Sequence, residues 1–174
     1  MNEVLRTGKN SQEPVTKKML EAYTKEFTPI MDSVFKKPQA KLSVGLRVYR
    51  YTNELQFGFE LGAFFQNEKV NQSGIEKFKK QFEGKTFHDK GFTSTSLALV
   101  NLPPGSLGNA ERFASRTIRM DIKVPKGSSA VYLDNLYAEV VLPRESTFKI
   151  NKVSGIVEKG KLIMKIDAEL IQKN

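Results

Sequence analysis

Three short segments carry residue types that can do chemistry together. The first, Val48-Tyr49-Arg50-Tyr51, sets an arginine at the end of a strand-like run. A guanidinium on a rigid base can hold a phosphate through two parallel N–H bonds, or it can form a surface ion pair. The second is Phe92-Thr93-Ser94-Thr95-Ser96. Alternation puts Phe92, Ser94 and Ser96 on one face and Thr93 and Thr95 on the other. Such a row of hydroxyls can orient a carboxylate, and it also suits an ordinary exposed strand. The third, Glu139-Val140-Val141-Leu142-Pro143-Arg144, opens an apolar strand with a carboxylate, just after Asp134-Asn135-Leu136-Tyr137. A glutamate there either sits in water or faces a site.

Composition removes several alternatives. The chain has no cysteine, which excludes disulfides, thiolate nucleophiles and Cys-ligated metal. Its one histidine, His88, lies in the polar stretch Phe87-His88-Asp89-Lys90 and reads as a loop residue without chemistry. A His-based triad or a metal site is not expected. The 28 Lys and Arg exceed the 19 Asp and Glu by nine charges, spread over both halves. No basic tail or arginine run appears, so a nucleic-acid partner is not expected. No apolar run approaches the roughly 20 residues of a membrane span. The start, Met1-Asn2-Glu3-Val4-Leu5-Arg6, lacks the apolar core of a signal peptide.

The elements that must position these groups follow from periodicity. The 174 residues, 39% hydrophobic and 27% charged, suit one globular domain. Residues 1–16 read as a flexible lead-in and 17–174 as the single domain. Met19, Leu20, Tyr23, Phe27, Ile30, Met31, Val34 and Phe35 recur at helical spacing. Pro29 interrupts them, giving either two helices meeting near residue 28, with Thr28 as N-cap, or one kinked helix. Leu42–Tyr51 reads as a strand. Residues 52–72 are mixed. Ser73 and Glu76 have capping-box spacing ahead of Ile75, Phe78 and Phe82, and Gly84 is the stop. Strands are then predicted over Phe92–Leu97, Ile118–Val124, Ala130–Leu133, Glu139–Leu142, Thr147–Val153 and a last run from Leu162 to Leu170. Residues 100–109 form a loop. Helices first and strands afterwards predict an α+β fold, with N-terminal helices packed on a mostly antiparallel β-sandwich.

Taken in order, Arg50, then Ser94-Thr95-Ser96, then Glu139 before an apolar strand ending in Pro143-Arg144 resemble the Arg–Ser–Glu pattern of ADP-ribosyltransferase toxins. The similarity is to the branch containing the iota, C2 and C3 exoenzymes. Gly91-Phe92 ahead of the hydroxyl run, and Ile122-Lys123-Val124-Pro125-Lys126-Gly127 ahead of the glutamate turn, match that pattern too. The resemblance implies an ADP-ribosyltransferase fold and cleavage of NAD at its nicotinamide–ribose bond. NAD is then a co-substrate, no metal is needed, and an unidentified target protein receives the ADP-ribose. It implies that Arg50 clamps the NAD phosphates, Ser94 positions Glu139, Thr95 and Ser96 brace the strand, and Glu139 is catalytic. Tyr51, Arg112, Phe113 and Arg116 join the expected NAD contacts, with Phe113 as a stacking face. Tyr132, Leu136 and Tyr137 form an expected target-recognition patch. The NAD pyrophosphate and an acidic partner surface would account for part of the positive charge.

One position departs from the pattern. The family carries Glu or Gln two residues before the catalytic glutamate, and here that residue is Tyr137. The paired Glu is associated with arginine acceptors and Gln with others. Tyrosine offers a phenol and no carboxylate, so the acceptor is left unassigned. Three functions stay open: a protein-modifying transferase, a NAD glycohydrolase or nucleic-acid-directed transferase, and an inactive transferase-like binding module. A monomer is expected. The chain reads as cytosolic, and a toxin domain delivered into a target cell would read the same way.

Overall fold

A computed structural model describes Leu5 and residues 14–99, 116–134 and 138–172. Pro14–Phe35 form helix α1, a single 22-residue helix with Pro29 inside it. This decides between the two alternatives left by the sequence. Thr28 is not an N-cap: its hydroxyl is buried without a hydrogen-bond partner. Pro29 removes one backbone bond, and the last turns offset that loss by anchoring to the sheet. Phe35 stacks on Phe92 with ring centroids 5.9 Å apart. Arg144 grips Asp32 through bonds of 2.7, 2.9 and 3.0 Å.

Strand β1 (Leu46–Thr52) is followed by a short 3-10 turn, Glu54–Phe57, and then by helix α2 (Gln72–Phe82). The N-cap of α2 is Asn71, whose side chain accepts from the Gly74 N–H at 2.8 Å. The expected Ser73 capping box is thus corrected. Asn71 already takes the first free donor, and Ser73 falls inside the helix. Gly84, at φ +79°, ends the segment as expected. Gly74 is required by contact: a Cβ there would lie 2.3 Å from the Phe64 carbonyl oxygen.

The remaining strands are β2 (Thr86–Asp89), β3 (Thr93–Ser96), β4 (Ile118–Val124), β5 (Val131–Asp134), β6 (Glu139–Leu142), β7 (Ser146–Glu158) and β8 (Lys161–Ile171). They hydrogen-bond in the order β2-β7-β8-β4-β1-β3-β6-β5. Among the described strands, only the β4–β8 pair runs parallel. Strand β2 was not expected, and His88 lies in it rather than in a loop. Four residues with a single apolar member, Phe87, give no readable period. His88 faces outward and contacts Glu145 at 2.6 Å.

The join between β1 and β3 is narrow, with one register pair, Tyr49↔Ser96. It divides the sheet into a five-stranded and a three-stranded part. Val140 and Leu142 of the smaller part share one core cluster with Val48, Phe148 and Ile166 of the larger. Strands lie about 4.8 Å apart, so a flat sheet could not bring β6 against β7. The sheet therefore curls over its apolar face, and its two parts pack in the sandwich-like manner expected. Helix α2 adds Ile75 and Phe78 to that core.

Glu54 organises the segment before α2. It is 2% exposed and accepts from the backbone N–H groups of Gly62, Phe64 and Phe65 at 2.8, 2.6 and 2.9 Å. A buried carboxylate thereby holds a bend that places Phe59 and Phe64 beside Phe78 and Phe82. Replacing it strands three backbone donors, of which the Phe65 N–H is buried. Glu54→Ala is expected to lower unfolding free energy by about 3 kcal/mol, read from denaturant midpoints.

Candidate active site

The site lies at the narrow join. Strand β1 is rigid there because it pairs with β4 along its whole length, from Leu46↔Val124 to Thr52↔Ile118. Arg50 sits opposite Met120 in that ladder, on the core-facing side two residues beyond Val48. Its Nε donates to Gln56 Oε1 at 2.6 Å, and its Nη1 donates to the Ser94 carbonyl at 2.6 Å. The guanidinium is thus held at two points, one from each side of the join.

Strand β3 carries the hydroxyl row. Ser94 Oγ donates to Glu139 Oε1 in a short bond. The Ser94 hydroxyl therefore holds Glu139 while its carbonyl holds Arg50. Thr95, on the opposite face, donates to the Val140 carbonyl at 2.6 Å and is buried. Ser96 is registered with Glu139 across the β3–β6 pair and accepts from the Ala98 N–H at 3.2 Å. Just before Glu139, Ala138 adopts φ +48°, and its carbonyl accepts from the Leu97 N–H at 3.0 Å. A left-handed alanine is held only where its neighbours fix it. This turn sets where the Glu139 side chain begins.

The arrangement has a definite chemical capacity. The two-nitrogen fork of Arg50 suits an anion, and Glu139 is a half-buried carboxylate oriented through one oxygen by Ser94. Arg116 reaches the same end of β1, where its Nη1 donates to the Tyr51 carbonyl at 2.6 Å. The Tyr51 side chain lies on the other face from Arg50, and its hydroxyl donates to Glu158 Oε2 at 2.8 Å. Tyr132 is exposed on the edge strand β5. Arg112, Phe113, Leu136 and Tyr137 lie outside the described residues.

Two further polar residues enter the site that the sequence did not single out. Gln56, 4% exposed, joins Arg50 to Asp89, which is 1% exposed. Neither belongs to a periodic run, and burial alone distinguishes them from surface residues of the same types. On the outer face, Arg119 bridges Asp121 at 2.8 Å and also pairs with Glu158. Lys165 joins Asp167 at 2.9 Å.

Burial, and then the hydrogen bond and charge of Glu158, push the Tyr51 phenol up to about 12. Its folded value lies above the ordinary value of 10, so its stabilising contribution is complete below pH 10 and is lost as pH rises toward 12. An absorbance titration of the five tyrosines is expected to show one late component that Tyr51→Phe removes. The same variant is expected to lose less stability than the parent between pH 10 and 12.

Comparison with known proteins identifies the family. The family model described as ADP-ribosyltransferase exoenzyme matches residues 1–173. A mono-ADP-ribosyltransferase C3 of Clostridium botulinum D phage is 37% identical over 102 residues, covering 52% of this chain and 37% of that protein. The chain thus matches little more than a third of that relative's length. Among solved structures, Plx2a, an ADP-ribosyltransferase toxin from Paenibacillus larvae, superposes with a TM-score of 0.72 at 29% identity. That match covers 98% of this chain and 78% of Plx2a. BECa, an ADP-ribosylating toxin of C. perfringens solved with NADH, gives 0.71 at 25% identity, over 98% of this chain and 39% of BECa. With its sheet curled about the Arg50–Ser94–Glu139 chain of contacts, and matched over all but its last residue, this chain belongs to the ADP-ribosyltransferase exoenzyme family.

Proposed function

We propose that the chain is the catalytic unit of a bacterial mono-ADP-ribosyltransferase toxin, which cleaves NAD and transfers ADP-ribose to a protein. The observation that carries this reading is the double use of Ser94, whose carbonyl holds Arg50 and whose hydroxyl holds Glu139. Anion-binding and carboxylate groups are thereby fixed relative to each other through one residue. That is the requirement for a substrate with a pyrophosphate at one position and a reacting ribose at another. The NADH complex of BECa supports a nicotinamide dinucleotide as the ligand.

In this reading Arg50 neutralises the pyrophosphate. Glu139 accepts a hydrogen bond from the ribose hydroxyl next to the reacting carbon. Nicotinamide leaves as a neutral amide, so no strong acid is needed. The ribose gains oxocarbenium character, as in glycoside cleavage, and a nearby carboxylate stabilises it. One group of this kind contributes about 3 kcal/mol, or a rate factor of about 10². The Ser94 hydroxyl directs Glu139 and has no part in bond breaking. Arg112, Phe113 and Arg116 extend the proposed NAD contacts. Tyr132, Leu136 and Tyr137 are the proposed target-recognition residues, and the exposure of Tyr132 suits that role.

Nicotinamide release from NAD, measured with and without cell lysate, tests the reading. Release by the parent is expected to rise with lysate and to leave label on a protein. Glu139→Gln is expected to lower it by about 10² or more, and Ser94→Ala by roughly tenfold. Equal release from the parent and Glu139→Gln would overturn the assignment. Glu139-dependent release that ignores lysate would make water the acceptor.

A further inference from the structure

We propose that Asp89 is a positioning residue of this site, fixing the direction of the Arg50 fork through the side-chain amide of Gln56. Its effect on NAD rests on the transferase reading; its effect on the Arg50 guanidinium does not.

Asp89 ends strand β2 inside the protein. Its Oδ1 accepts from the Gly91 N–H at 2.9 Å. Its Oδ2 accepts from Thr93 Oγ1 at 2.8 Å and from Gln56 Nε2 at 3.1 Å. The other end of the same amide, Gln56 Oε1, accepts from Arg50 Nε at 2.6 Å. The polarity of this chain is forced. A guanidinium can only donate and a carboxylate in this setting accepts, so the amide must turn its oxygen to Arg50 and its nitrogen to Asp89. Reversing the amide would set donor against donor at one end and acceptor against acceptor at the other.

Two consequences follow from the placement. The buried charge of Asp89 and the half-buried Arg50 guanidinium are linked through a neutral amide. The relay takes Nε, at the base of the guanidinium, while Nη1 goes to the Ser94 carbonyl. Asp89 also holds Thr93, the residue next to Ser94, so one carboxylate sets both the arginine and the strand that carries its second acceptor.

Exchanging charge and amide gives a specific test. Gln56→Leu deletes the relay. Gln56→Glu sets two buried carboxylates against each other. Adding Asp89→Asn to Gln56→Glu restores a donor facing Asp89's former partner, while Glu at position 56 still accepts from Arg50. The two single Gln56 variants are expected to raise the KM for NAD by about tenfold with kcat changed less than about threefold. Asp89→Asn is expected to bring Gln56→Glu back to within about threefold of the parent KM, and to do nothing for Gln56→Leu. A purely structural role would not give rescue that depends on the residue at position 56. Unchanged KM in Gln56→Leu, or equal response of both backgrounds to Asp89→Asn, would overturn the proposal.

A measurement without NAD separates the two readings. With seven arginines in the chain, the Nε–H signal of Arg50 can be assigned in a nitrogen-15 spectrum by its loss in Arg50→Lys. It is expected to exchange slowly in the parent and in the double variant, and rapidly in Gln56→Leu. An unchanged signal in Gln56→Leu sinks the relay whatever the enzyme does. A parent that releases no nicotinamide sinks the transferase reading and leaves the spectral result standing.

Discussion

The structure depends on how the polar groups at the β1–β3 join are satisfied. Two strands that meet at a single register pair leave backbone carbonyls without ladder partners, and buried carbonyls must find donors. Arginines supply them. Arg50 donates to the Ser94 carbonyl on one side, and Arg116 to the Tyr51 carbonyl on the other. The sheet can curl at that line because side chains replace the missing rungs. The same curl brings the β6 side chains Val140 and Leu142 into the main core. A conventional full-length pairing of β1 with β3 would need no guanidinium there, and would leave no opening for a ligand.

Around this join the supporting interactions form two tiers. Behind Arg50 stands a buried polar tier of Gln56, Asp89 and Thr93, with Glu54 holding the bend that follows. Behind β3 and β6 stands a small apolar cluster of Phe35, Phe92 and Val141, covered by the end of α1 and tied down by Arg144 and Asp32. The polar tier fixes direction, since hydrogen bonds are angular, and the apolar tier fixes depth, since packing resists displacement.

The sequence was most informative where period and chemistry coincide. Arg50 stands in an alternating run, Ser94 in a row of hydroxyls and Glu139 at the head of an apolar run, so their strands could be read together with their types. The long strands and α2 followed for the same reason. Residues outside such runs stayed hidden. Gln56 and Asp89 are ordinary polar letters in segments with no period, and only the three-dimensional fold shows them buried. Strand β2 has four residues and one apolar side chain, too little for a pattern. At Asn71 a nearer cap displaced the one suggested by Ser73. In α1 tertiary anchoring at Asp32 and Phe35 outweighed the local penalty of Pro29.

The β7–β8 hairpin has a consequence for the order in which the molecule assembles. Its strands are joined through Lys159 and Gly160, both at positive φ, the turn geometry that matches strand twist. That pairing closes almost no loop. The contacts of the site, by contrast, join residues 44 and 45 positions apart. Loop closure must be compensated before such contacts stabilise anything. The hairpin is therefore a natural early nucleus, and the Arg50–Ser94–Glu139 chain a late event. Destabilising the site should then speed unfolding more than it slows folding, so newly made chains would collapse with their framework in place before they could bind a substrate.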